Sequence, residues 1–163
     1  MLPVERVVAR TEAVAVYLNC FWVYPAGFEF EVFAVAKDEG SELDPFSFDH
    51  TYAAERSGEI PPEKLRLGFE FADGSKVTNT GGRFDWDWED TDRPSHPIMS
   101  GSRGQGGEGS WSWAFWVWPL PPAGELTFVC EWPAAEIPLT RLELDAAPLT
   151  EAASRAQKLF ATD

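Results

Sequence analysis

Histidine and cysteine are nearly absent from this chain, which has two of each in 163 residues. Cys20 and Cys130 are too few for a disulfide scaffold and too far apart for a CxxC redox or zinc motif. His50 and His96 come without a GxSxG elbow, an HExxH pair or a paired-cysteine signature, so nucleophilic and zinc chemistry have no recognisable machinery. Asp49 adjoins His50, and on a strand such neighbours point to opposite faces, a poor start for a triad. His96, between Ser95 and Pro97, sits in loop chemistry. No catalytic residue, metal or cofactor is therefore expected. Positive charge is scarce too: 13 Lys and Arg stand against 27 Asp and Glu, a formal charge of -14. That field repels phosphate backbones and anionic head groups, so nucleic acid and membrane surfaces are poor partners. Long apolar runs are also missing. The stretches Cys20 to Phe28 and Ala114 to Pro122 fall short of the ~20 residues of a spanning helix. Glu5 and Arg6 occupy the place of a leader's apolar core, which reads as a cytoplasmic protein.

What remains is a chain of ordinary composition, 44% hydrophobic and 25% charged, expected to fold as a single domain over residues 1–163. Its periodicity is that of strands. Residues 13–24 place Val14, Val16, Leu18, Cys20 and Trp22 on one face at period two. The turn Tyr24-Pro25-Ala26-Gly27 leads to residues 28–37, where Phe28, Phe30, Val32 and Ala34 alternate with Glu29 and Glu31. A polar stretch from Asp38 to Glu63 has too little periodicity to assign. Leu65, Leu67, Phe69 and Phe71 share a face in a hairpin of strands 64–72 and 75–79 around a two-residue Asp73-Gly74 turn. Residues 80–110 form an acidic, glycine-rich excursion. Two strands around Pro-Pro-Ala-Gly follow, with Leu126, Phe128, Cys130 and Trp132 on one face, and residues 137–145 add another. From Pro148, Leu149, Ala152, Ala153, Ala156, Leu159 and Phe160 line one face of a terminal helix. The expected fold is mainly β: an antiparallel β-sandwich or open barrel with one C-terminal amphipathic helix. Cys20 and Cys130 then both face inward, as small core hydrophobes near each other across the sandwich.

The segments YPAGFEFEV, LGFEFADG and FWVWPLPPAGELTFVCEWPAAEIPLTRLELDAA resemble a family of uncharacterised hypothetical proteins from high-GC actinobacteria, over most of the chain apart from residues 38–63. The resemblance implies an actinobacterial source and carries over no activity, ligand or functional residue.

Three segments invite a functional reading. In RFDWDWEDTDR, the carboxylates Asp85, Asp87, Glu89, Asp90 and Asp92 crowd beside Trp86 and Trp88, and like charges that close need water, a cation or a basic partner between them. A calcium loop fails, because Asp90 stands where the EF-hand needs Gly and His96 where it needs Glu. A carbohydrate platform has the right materials, indole faces for sugar C–H groups and carboxylates for hydroxyls, but a cytoplasmic location weakens it. A surface that steers and anchors a basic protein fits better, against the plain alternative of a solvated loop whose tryptophans fold back on the core. Second, SGSRGQGGEGS (Ser100 to Ser110) matches neither phosphate-loop pattern and reads as a mobile loop. Beneath it, Trp111 and Trp113 could floor a small-molecule or carbohydrate pocket with Arg103 as a polar contact. Third, Trp111, Trp113 and Phe115 point to one side of their strand and Trp116 and Trp118 to the other, so something must cover the second face. The terminal helix is the cheapest cover, and a homodimer interface the alternative. The expectation is a non-enzymatic acidic module that binds a basic protein partner through residues 85–92, or self-associates, with ligand binding as the second possibility.

Overall fold

The structure, a computed structural model, describes residues 1–39, 43–47, 57–80 and 94–157. Among the described residues nine strands form two antiparallel sheets: β1 (Leu2–Arg10), β2 (Val14–Val23), β3 (Phe28–Ala36), β4 (Arg66–Phe71), β5 (Lys76–Thr78), β6 (Ile98–Gly107), β7 (Ser110–Trp118), β8 (Glu125–Trp132) and β9 (Ile137–Asp145). The five-stranded sheet runs β1-β2-β3-β7-β6 and the four-stranded sheet β5-β4-β8-β9. The sheets stay separate, so the fold is a sandwich and not a closed barrel. Among the described residues no helix is long and apolar enough to cross a membrane.

The inward faces follow the period-two pattern. Phe28, Phe30, Val32 and Ala34 of β3 are fully buried, as are Leu126, Phe128, Cys130 and Trp132 of β8. Phe69 of β4 joins the sheets, its ring 5.3 Å from Phe28, 5.1 Å from Phe30 and 5.0 Å from Phe128. Each such buried ring contributes roughly 1.5–3 kcal/mol relative to exposure. Trp132, the bulkiest fully buried side chain, satisfies its indole N–H on the Glu63 carbonyl at 2.9 Å.

Two strands lie where periodicity gave none. β1 pairs with β2 through two register breaks, and its exposed, charged residues mask the pattern. β6 occupies the glycine-rich stretch read as a mobile loop. Its glycines have a packing role, since Gly101, Gly104 and Gly106 lie opposite Phe115, Trp113 and Trp111 of β7. A Cβ on Gly101 would stand 2.7 Å from Trp113 Nε1, and one on Gly104 2.6 Å from Trp113 Cζ3. The two indoles thus lie across the edge strand where only hydrogen fits. Glu108 (φ 52°) and Gly109 (φ 77°) are both left-handed and close the β6–β7 hairpin in two residues. In the β4–β5 hairpin only Gly74 is left-handed (φ 83°), so the loop has three residues, Ala72 to Gly74, instead of two.

The terminal helix, α1 (Ala147–Ser154), is shorter than its apolar pattern suggests and ends at Arg155. Leu149 enters the core, and the nearest strand is β2. The helix plugs the sandwich beside β2 and does not cover the outer face of β7. Ala156 is exposed, while Leu159 and Phe160 lie outside the described residues.

The seating of the indoles on β6 gives a direct stability test. Gly104→Ala should lower the urea midpoint by about 1–3 kcal/mol of stability, because overpacking outweighs the ~0.4–1 kcal/mol gained from a stiffer unfolded chain. Gln105→Ala, on the opposite face of the same strand, should be near neutral. Equal midpoints for the two variants would remove the interlock.

Candidate functional site

The outer faces of the two sheets differ. On the four-stranded sheet, Glu70 lies 3.4 Å from Lys76 and 3.1 Å from Arg141, and Arg66 pairs with Glu131 at 2.7 Å. The hydrogen bond from Arg141, followed by the charge of Lys76, holds the Glu70 carboxyl below its ordinary range. This is a wet face laced with ion pairs, and pairs this exposed contribute little.

The outer face of the five-stranded sheet carries rings. A break in register after Leu18 places Asn19 and Cys20 together opposite Glu31, and shifts Phe21 onto the core opposite Phe30. Trp22 is thereby turned outward, opposite Glu29, and Glu29 lies opposite Trp116 of β7. The period-two reading of Cys20 and Trp22 as inward residues is corrected by this single bulge. Tyr24, 46% exposed, meets Trp116 edge-on at 5.5 Å. Trp22, Trp116 and Trp118 are half-buried.

At the centre is a polar cluster. Glu29 is buried, its Oε1 2.6 Å from Arg103 Nη1 and its Oε2 2.7 Å from Ser102 Oγ, which also lies 3.1 Å from the Ala114 carbonyl oxygen. Ser102 is the bulged residue of β6, so the irregularity delivers its hydroxyl to this carboxylate. Arg103 begins on the edge strand opposite Ala114, whose small side chain lets it cross β7. Its guanidinium then lies 5.0 Å from the Trp22 ring centre. Asn19 Nδ2 donates to Glu31 Oε2 at 2.8 Å. The arrangement offers stacking surface, one cation with free donors, and carboxylate acceptors on a broad open face, which suits binding.

The residues expected to bind are distributed differently. Asp85, Trp86, Asp87, Trp88, Glu89, Asp90 and Asp92 lie outside the described residues, as does His50. Trp111 and Trp113 face inward between the sheets, where Phe46 packs 5.6 Å from Trp113, and Arg103 faces outward. The structure therefore separates the tryptophans from the arginine, and a strand stands where their covering loop was expected. Trp116 and Trp118 were read from the sequence as an outer face that needs a cover, but Trp22, Tyr24, Glu29 and Ser102 were not assigned to it. The FEFE alternation at Phe28 to Glu31 was the legible trace of Glu29.

His96 is exposed, with Nδ1 3.4 Å from Ser95 Oγ in the same loop. Among the described residues no group of three or more His, Cys, Asp and Glu side chains is placed to hold a metal ion. Both cysteines are free and buried, but on opposite faces of their sheets: Cys130 in the core, Cys20 on the outer face beside Glu31. Burial pushes the Cys130 thiol up to about 12, and burial followed by the Glu31 charge raises that of Cys20. No protein-family model, curated protein or solved structure matches this chain.

Two outcomes follow. In native protein at pH 8, Cys130 should resist alkylation, with roughly one thiolate in ten thousand, and Cys20 should label first. Stability should fall as pH rises from the ordinary thiol value of 9.0 towards about 12, since the unfolded chain releases the Cys130 proton first, and Cys130→Ala should flatten that slope. Labelling of Cys130 as fast as in urea would refute its core position. Separately, Arg103→Ala should cost about 1–2 kcal/mol, mostly from Glu29 left buried with one hydrogen bond, and should shift tryptophan emission. Arg103→Lys should restore charge but not the stacked emission. An unchanged spectrum in both variants would dissolve the cluster.

Proposed function

We propose that this protein works by binding, as an acidic interaction module for a basic protein partner in the cytoplasm. The observation that carries the reading is the outer face of the five-stranded sheet, where Trp22, Tyr24, Trp116 and Trp118 surround Glu29 and Arg103 on a chain of net charge -14. Half-buried indoles supply anchor area at little entropic cost, and the acidic field supplies attraction and orientation. The sequence from Asp85 to Asp92 adds five carboxylates and two tryptophans of the same character.

A second reading rests on the central cluster. Trp22, Glu29, Ser102 and Arg103 combine a stacking ring with donors and acceptors, the set that holds a sugar or another polar small molecule.

Salt separates the two. A tagged chain retained on beads should capture a stoichiometric basic protein from its own host and release it steeply as ionic strength rises. Trp22→Ala with Trp116→Ala should abolish capture and lower the urea midpoint, while the chain still unfolds in one cooperative transition. Recovery of the chain alone would sink the partner reading, and a sugar-induced, salt-insensitive change in tryptophan emission would install the other.

A further inference from the structure

A sheet edge is a row of unpaired backbone groups, and folded proteins blunt such rows to prevent adventitious pairing. Among the described residues, three of the four sheet edges are blunted. β1 carries Pro3, a left-handed Glu5 (φ 52°) and two register breaks, and it runs beside β9. β9 contains Pro138 together with the charged Arg141 and Glu143. β5 has three residues. The fourth edge, β6, approaches β5 without pairing with it, has ten residues and no proline, and is exposed at every residue from Ser100 to Gly107. Among the described residues no hydrogen bond reaches its outward backbone groups. Its irregularity at Ser102 leaves Arg103–Gly107 in unbroken register with β7.

This edge is also held ready. Four glycines in ten residues would ordinarily make a costly strand to order. Trp111 and Trp113 lie against Gly106 and Gly104, and the Arg103–Glu29 pair fastens the opposite face. The entropy of ordering β6 is therefore met within the fold, before any partner arrives.

We infer that β6 is a strand-addition site, at which an extended basic segment of the partner pairs with Arg103–Gly107 and becomes the sixth strand of the sheet. The inference rests on the basic-partner reading and assigns its docking element. Charge selects the occupant. Arg103, the one charged side chain of β6, is engaged by Glu29, and the hairpin tip beyond it carries Glu108, next to Gly109, which lies against the backbone of Asp38 and Glu39. A second copy would bring two chains of charge -14 together and Arg103 towards Arg103, whereas a lysine-bearing strand meets a field of the opposite sign. On the inner side the glycines leave the added strand's side chains free to lie beside the two indoles. The fitting segment therefore alternates basic residues outward with apolar residues inward.

The test uses the full chain and an alternating lysine–valine peptide of about eight residues, beside the same peptide N-methylated at every backbone nitrogen. The plain peptide should slow hydrogen exchange at alternate amides within Arg103–Gly107. The N-methylated peptide keeps its charge but loses backbone bonds, and should bind roughly tenfold more weakly or worse. Equal affinity for the two peptides, or protection confined to other strands, overturns β6 docking. If the basic host protein is nevertheless captured and released by salt, the acidic-module reading stands without it; if no basic ligand binds at all, both fall. A dimer with protected β6 amides and no peptide present would show that the edge takes a second copy, which also overturns the assignment.

Discussion

The packing of Trp111 and Trp113 against the glycines of β6 is the contact on which the rest of the architecture depends. A strand as aromatic as β7 cannot sit at the edge of a sheet without exposing indole on both faces. It is therefore central, between β3 and β6, and the strand that flanks it must leave room for two indoles. Only glycine leaves that room at Gly101, Gly104 and Gly106. The sandwich gains a closed core, and β6, with little inward side chain of its own, becomes an exposed edge.

The other face of β7 shows how one irregularity redistributes chemistry. The bulge at Asn19 keeps Phe21 in the core and turns Trp22 outward, to the same row as Glu29 and Trp116. The bulge at Ser102 brings a hydroxyl to the same carboxylate and aims Arg103 across Ala114. Neither device strengthens the sheet, because each interrupts a ladder. Together they gather rings, acid and guanidinium on one face, while the four-stranded sheet shows water an ordinary set of ion pairs. This asymmetry leaves the rings and the mixed charge on the outer face of the five-stranded sheet.

Sequence pattern and structure agree where one side-chain row meets one environment. The rows from Phe28 to Ala34 and from Leu126 to Trp132 are buried as their alternation requires, since a slip of one residue would turn each of them to the opposite face. Disagreement begins where the ladder is irregular. Cys20 and Trp22 follow the alternation of Val14, Val16 and Leu18 in sequence but not in space, because an inserted residue shifts the phase without altering composition. The glycines of β6 mislead for another reason. Read alone they signal freedom of the backbone, and their partners lie on a neighbouring strand.

The sequence by itself determined the class of the fold, the central hairpins, the inward rows of β3, β4 and β8 and the acidic character of the whole, since these depend on local periodicity and composition. Only the tertiary structure decided that β6 is a strand, that Trp111 and Trp113 lie inside, that Arg103 meets Trp22 and Glu29, and which edge stays open. Each of these joins residues on different strands through a register or a close approach, and such pairings exist only once the sheets have assembled.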